Sequence, residues 1–165
     1  MTGVRLDPKL KYLAELAARK QRRTLSSFVE WAIEDALGRF LLEEPSGYND
    51  RGISFIDAAN DLWDVDEADR FAKVALGYPG LLTHEEQVLW KLVRENGFLW
   101  RGGYRHGKWV WSVDLSSLDF DRLRRYWPVF NAVARGEADA SVLPTWVKEK
   151  AEPKPGPDDD LEIPF

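Results

Sequence analysis

Cysteine is absent from this 165-residue chain, which excludes disulfides and thiolate metal sites and fits a reducing compartment. Long apolar runs are absent as well. Nothing approaches the roughly 18 uncharged apolar residues of a membrane span, and the opening MTGVRLDPKL lacks the apolar stretch of a signal peptide. A cytoplasmic protein without membrane contact is expected. Histidine is scarce, with His84 inside a helix-capping sequence and His106 in a glycine-rich turn, both reading as solvated surface residues. No glycine-rich phosphate loop follows a strand, and Gly102-Gly103 is better explained as part of a turn. Asp64, Asp66, Glu67 and Asp69 cluster, but carboxylates in a first helical turn complement the positive end of the helix. No catalysis, no metal site and no cofactor are therefore expected.

What is present is a chain rich in core-forming side chains. It is 44% hydrophobic, with eight tryptophans and eight phenylalanines, enough for one or two small domains. The net charge of −5 conceals an asymmetry. Residues 1–42 carry eight Lys/Arg against five Asp/Glu, a net of +3, so residues 43–165 carry fifteen against twenty-three, a net of −8. A basic head on an acidic body suggests that the head alone meets a polyanion.

Along the chain, Gly3-Val4-Arg5-Leu6 alternates as a short strand would, with Val4 and Leu6 on one side and Arg5 on the other. Asp7-Pro8 reads as an N-cap followed by proline at the first helical position, where its missing N–H costs nothing. Leu10, Leu13, Ala14, Leu16 and Ala17 then recur at helical spacing through about Gln21. Lys20-Gln21-Arg22-Arg23 is a basic turn, and a second helix opens at Thr24, capped by its hydroxyl. That helix carries Phe28, Val29, Ala32, Ile33, Ala36, Leu37, Phe40 and Leu41 on one face. Two helices this short cannot bury such stripes alone, and dimerisation is the physical solution.

Glu44–Gly52 is rich in turn formers and reads as a linker. Three helices are predicted beyond it, over about Ser54–Trp63, Asp66–Leu76 and Thr83–Asn96. The last has the capping box Thr83-His84-Glu85-Glu86 and Gly97 as its stop. Residues 98–101 and 108–113 read as a hairpin around a 102–107 turn, with Trp109, Trp111 and Val113 on one face against Trp100. A final helix over about Phe120–Arg135 contains Pro128, expected to kink it. From Ala151 the chain is Pro- and Asp-rich and expected to be disordered. The helix and hairpin of 83–113 have the outline of a winged helix, but Glu85, Glu86 and Glu95 would repel phosphate there. The tryptophans Trp100, Trp109 and Trp111 could stack single-stranded bases, although period-two spacing more often marks the core face of a sheet.

The segment VRLDPKLKYLAELAARKQRRTLSSFVEWAIEDAL resembles the ribbon-helix-helix family, the Arc and MetJ type of repressor. An alternating strand ending in Asp-Pro, a leucine-rich helix, and a basic turn into a hydroxyl-capped helix coincide at that family's spacing. The resemblance implies a homodimer whose paired strands enter the major groove of double-stranded DNA. It implies base contact from Gly3 and Arg5, of which Arg5 is the one strong reader. It implies phosphate contact from Arg22, Arg23, Thr24, Leu25 and Ser26, at and beside a helix N-terminus. The tail, Asp158-Asp159-Asp160-Leu161-Glu162-Ile163-Pro164-Phe165, resembles the acidic tip of bacterial single-stranded-DNA-binding proteins. That likeness implies a docking peptide formed by Asp158, Asp159, Asp160, Ile163, Pro164 and Phe165, with Leu161-Glu162 as a departure.

The expected architecture is mainly α. A ribbon-helix-helix dimer module (1–42) is followed by a linker (43–52), a small α+β domain of helices and one β-hairpin (53–150), and a disordered acidic tail (151–165). The expected function is a homodimeric, sequence-specific DNA-binding protein acting as a transcriptional regulator, with a protein partner for its C-terminal domain or tail. Two alternatives stay open. One is an antitoxin whose C-terminal domain binds a toxin; the other is a recruitment factor that uses the tail.

Overall fold

A computed structural model describes residues 5–146. Met1, Gly3 and Val4 of the expected ribbon, and the whole tail with Asp158–Asp160 and Ile163-Pro164-Phe165, lie outside the described residues. The fold is mainly α, with six α-helices and two small antiparallel sheets among the described residues. No helix among them is long and apolar enough to cross a membrane. The chain divides into two compact units at Lys73/Val74.

The first unit opens with α1 (Pro8–Lys20), started as its sequence dictates. The Asp7 carboxylate accepts from the Lys9 and Leu10 N–H groups at 2.9 and 3.3 Å, and Pro8 occupies the first helical position. Helix α2 (Leu25–Arg39) is capped by Thr24, whose Oγ1 accepts from the Ser27 N–H at 3.2 Å. The two helices pack together through small residues. Ala18 is buried and Ala14 and Ala17 are half-buried, while Leu10, Leu13 and Leu16 of the same helix stay exposed.

Where the sequence reads as a linker, the chain forms a closed loop. Strands β1 (Leu41–Glu43) and β2 (Ile53–Ser54) pair antiparallel across it, Leu41 opposite Ser54. Asp50 staples the loop, its carboxylate accepting from the Ser46 N–H and hydroxyl at 2.8 and 2.7 Å and from the Gly52 N–H at 3.0 Å. The helix predicted over Ser54–Trp63 is reduced to α3 (Ala59–Leu62). Ser54 is held in β2, and its N–H and hydroxyl both donate to Asp57 (3.1 and 2.7 Å). That local side-chain turn competes with helix initiation. Helix α4 (Glu67–Gly77) follows, and the cluster before it is structural. Asp64 accepts from the Asp66 N–H and pairs with Lys73 at 3.0 Å, and Asp66 accepts from the Ala68 N–H.

In the second unit, α5 (His84–Glu95) has the predicted capping box, with Thr83 N–H to Glu86 at 2.7 Å and Glu86 N–H to Thr83 Oγ1 at 3.3 Å. It packs on α6 (Phe120–Ala134), which continues through Pro128. Leu89, Trp90 and Val93 from α5, with Leu99, Trp100, Leu118, Leu123 and Phe130, are among the larger of the unit's buried side chains.

The hairpin differs in register from its prediction. Residues 97–99 form a single 3-10 turn, and the strands are β3 (Gly102–Arg105) and β4 (Lys108–Trp111). Their two-residue turn, His106-Gly107, has φ of +49° and +76°, the left-handed pair that a tight hairpin of type I′ needs. Gly102-Gly103 is therefore strand, not turn. A Cβ on Gly102 would run into the Val110 carbonyl and the Trp109 ring, so the close approach itself selects glycine. Trp100 does not oppose Trp109 or Trp111. It bridges to Leu118, is fully buried, and meets Trp90 edge-on at 6.2 Å.

Candidate nucleic-acid interface

The turn between α1 and α2 concentrates cations. Arg19, Lys20, Arg22 and Arg23 fall within five residues and are exposed. Only Arg19 has an ion-pair partner among the described residues, Glu15 one helical turn back at 4.0 Å. Arg22 adopts φ +56°, the left-handed conformation usually filled by glycine at the end of a helix. The surrounding bonds are those of a Schellman closure: Arg22 N–H to the Arg19 carbonyl at 3.0 Å and Arg23 N–H to the Ala18 carbonyl at 2.9 Å. A bulky cation thus sits where the backbone favours glycine by roughly 1–2 kcal/mol.

Arg23 lies over the Trp31 ring at 5.8 Å, and Trp31 in turn tilts against Phe28 at 5.7 Å. Sequence reasoning missed Trp31. An arginine eight residues before a tryptophan carries no pattern until the turn folds the guanidinium back. Thr24, Leu25 and Ser26 form the first turn of α2. Ser27 N–H is taken by the cap, while the N–H groups of Leu25 and Ser26 donate to nothing among the described residues. Two free donors, the positive end of a 15-residue helix and adjacent arginines make an anion-accepting corner. Arg5 is exposed two residues before the α1 cap. Residues 5–7 form no regular element in the single chain.

Beside this corner runs an open groove of about 460 Å³ lined by Leu6, Leu25, Ser26, Val29, Glu30, Ile33 and Glu34. Large apolar side chains of α1 and α2 are left in water. Leu10, Leu13 and Ile33 are 51–54% exposed, and Trp31, Leu16 and Leu37 are 36–40% exposed. Over residues 5–66 the buried side chains are Ala18, Ser54 and Ala58, all small.

The Trp platform considered for single-stranded bases is engaged otherwise. The indole N–H groups of Trp100, Trp111 and Trp109 donate to the carbonyls of Val93, Arg94 and Gly97 at 3.0, 3.1 and 3.0 Å. These carbonyls lie at and just beyond the C-terminal end of α5, and those of Val93 and Gly97 also accept from the Asn96 and Trp100 N–H groups at 3.3 and 3.4 Å. Trp109 also stacks on Trp146 at 4.1 Å.

Asp50, Asp57, Asp64, Asp114 and Asp139 all titrate below the ordinary carboxylate value, chiefly through hydrogen bonds from neighbouring N–H and hydroxyl groups. Each is a turn staple. His84 and His106 are exposed, and no group of three or more His, Asp or Glu suited to a metal occurs among the described residues.

No family model, curated protein or solved structure matches this chain.

Proposed function

We propose that the protein is a homodimeric, sequence-specific DNA-binding protein and transcriptional regulator of ribbon-helix-helix type. One observation carries the reading. The first sixty-odd described residues bury only alanine and serine, while six large apolar residues of α1 and α2 remain at least a third exposed. Burying a Leu, Ile or Phe side chain is worth about 1.5–3 kcal/mol, against a total domain stability of about 5–15 kcal/mol. Helices α1 and α2, left exposed in this way, call for a partner surface of the same chemistry, and a second copy supplies one.

Pairing of the two N-terminal segments would give a strand partner to Arg5 and Leu6, which form no regular element in the single chain. Leu6, which already lines the Val29/Ile33 groove within one chain, would be covered there by the second copy. The outward side of the resulting ribbon then presents Arg5, with Gly3 beside it, to base edges in the major groove. The α2 N-termini, with Thr24, Leu25, Ser26, Arg22 and Arg23, take the flanking phosphates. Arg22 supports this role independently, since a strained arginine in place of glycine needs a use for its side chain.

The test is fluorescence anisotropy of the full chain on a duplex from its own promoter and on random duplex. Arg5→Ala should reduce discrimination between the two by about 1–3 kcal/mol. Arg22→Ala or Arg23→Ala should weaken both equally. Unchanged affinity and discrimination in Arg5→Ala would remove the ribbon as the reading element.

A further inference from the structure

The β3–β4 hairpin of the second unit carries an arrangement that its own fold does not favour. From Asn96 to Val113 the chain has no Asp or Glu, yet it carries Arg101, Arg105 and Lys108, in a body that is otherwise acidic. Arg105 and Lys108 are direct cross-strand partners. Like charges placed opposite one another on a sheet oppose folding. Neither has an ion-pair partner among the described residues, and both are exposed.

Strand alternation puts Arg105, Lys108, Gly103 and Val110 on the face opposite Trp109 and Trp111, whose indoles are committed to the end of α5. Nothing covers that outer face among the described residues. A Cβ on Gly103 would meet no atom within 4 Å, and Arg101, just before the strand, is exposed too. At the tip, His106 holds a left-handed conformation that Asn or Gly would adopt more cheaply.

We infer that this hairpin face is a second anion-binding surface, and that its ligand is the phosphate backbone of double-stranded DNA. The existence of the surface stands on the hairpin alone; the choice of duplex DNA rests on the proposed function. The face is open, with its cations exposed and without an ion-pair partner among the described residues. It suits a rigid polyanion with about one charge per 1.7 Å of axis. A flexible acidic peptide would lose chain entropy on such a face without a pocket to hold it. An anionic bilayer is recognised by about four to eight clustered cations or by apolar insertion, whereas this face offers three cations and a single exposed apolar side chain, Val110.

The test uses the full-length protein on random duplex DNA across a salt series. The combined variant R101Q/R105Q/K108Q should bind more weakly, with a salt slope smaller by roughly 2–3, about 0.9 for each phosphate no longer neutralised. R105E alone should act in two directions. It places a carboxylate opposite Lys108, so the thermal midpoint should rise while DNA affinity falls. A variant that unfolds is thereby separated from one that is folded but no longer meets the phosphate. If hairpin variants keep wild-type affinity and slope while Arg22→Ala and Arg23→Ala lose both, the inference fails and the proposed function stands. If the N-terminal variants are silent and the hairpin variants weaken binding, the inference stands and the ribbon reading fails. Tighter binding to RNA or to phosphatidylserine vesicles, abolished by the same substitutions, would overturn duplex DNA as the ligand.

Discussion

Arg22 occupies a backbone conformation that glycine adopts at lower cost. Arg22→Gly should therefore raise stability by up to about 1 kcal/mol, the left-handed strain relieved less the extra freedom of glycine in the unfolded chain. The same change should weaken DNA binding, a combination a purely structural arginine would not give. Thermal melts and anisotropy on one preparation check both halves.

Gly97 gives the opposite lesson. The sequence marks it as a helix stop, but α5 ends at Glu95 under Asn96, whose side chain accepts from the Phe98 N–H and donates to the Pro144 carbonyl. Glycine is required at 97 because a Cβ there would lie 2.7 Å from the Trp111 ring and 2.9 Å from Trp109. Gly97→Ala should cost about 1–3 kcal/mol through overpacking. Trp111→Phe, which removes the N–H but retains most of the ring, should cost about 1 kcal/mol. Urea unfolding of the two variants separates space from hydrogen bonding.

At the scale of elements, legibility follows whether the decisive interaction is local. The caps of α1, α2 and α5 are readable because Asp7, Thr24 and Thr83 bond within three residues of themselves. The hairpin register is not. Gly102-Gly103 resembles a turn in sequence, and only the approach of the Val110 carbonyl shows it to be strand. Helix α3 is shorter than its sequence suggests for the mirror-image reason: apolar spacing extends over Ser54–Trp63, while the Ser54–Asp57 bonds consume its first turn. The exposed stripe of α1 and α2 is legible, since no short pair of helices could cover it.

The closed loop between β1 and β2 has its own signature. Hydrogen bonds from the Ser46 N–H and hydroxyl, then from Gly52, lower the Asp50 carboxyl from 3.8 to about 2. A depressed carboxylate stabilises the fold fully above its unfolded value and ceases to do so as pH falls toward the folded one. The loop should keep its order at pH 5 and lose it between about pH 4 and 2. Carboxyl titration by NMR reads this directly, and an Asp50 that titrates near 4 would show that the staple does not persist in solution.

For the whole molecule, the basic head and acidic body resolve into more than a simple dipole. The cations of the α1–α2 turn and those of the hairpin lie in different compact units, and most carboxylates with shifted titration are turn staples elsewhere. Association should depend on side chains that a single chain leaves in water. Ile33 is 53% exposed, so Ile33→Ala should change the stability of an isolated chain by no more than about 0.5 kcal/mol. It should weaken self-association by about 2–5 kcal/mol if the residue is buried between copies. Sedimentation of the full-length protein at micromolar concentration decides whether the chain self-associates. The expected species has twice the chain's 19.0 kDa, and Ile33→Ala reduces it toward the single-chain mass. A wild-type protein that sediments at 19.0 kDa would contradict self-association.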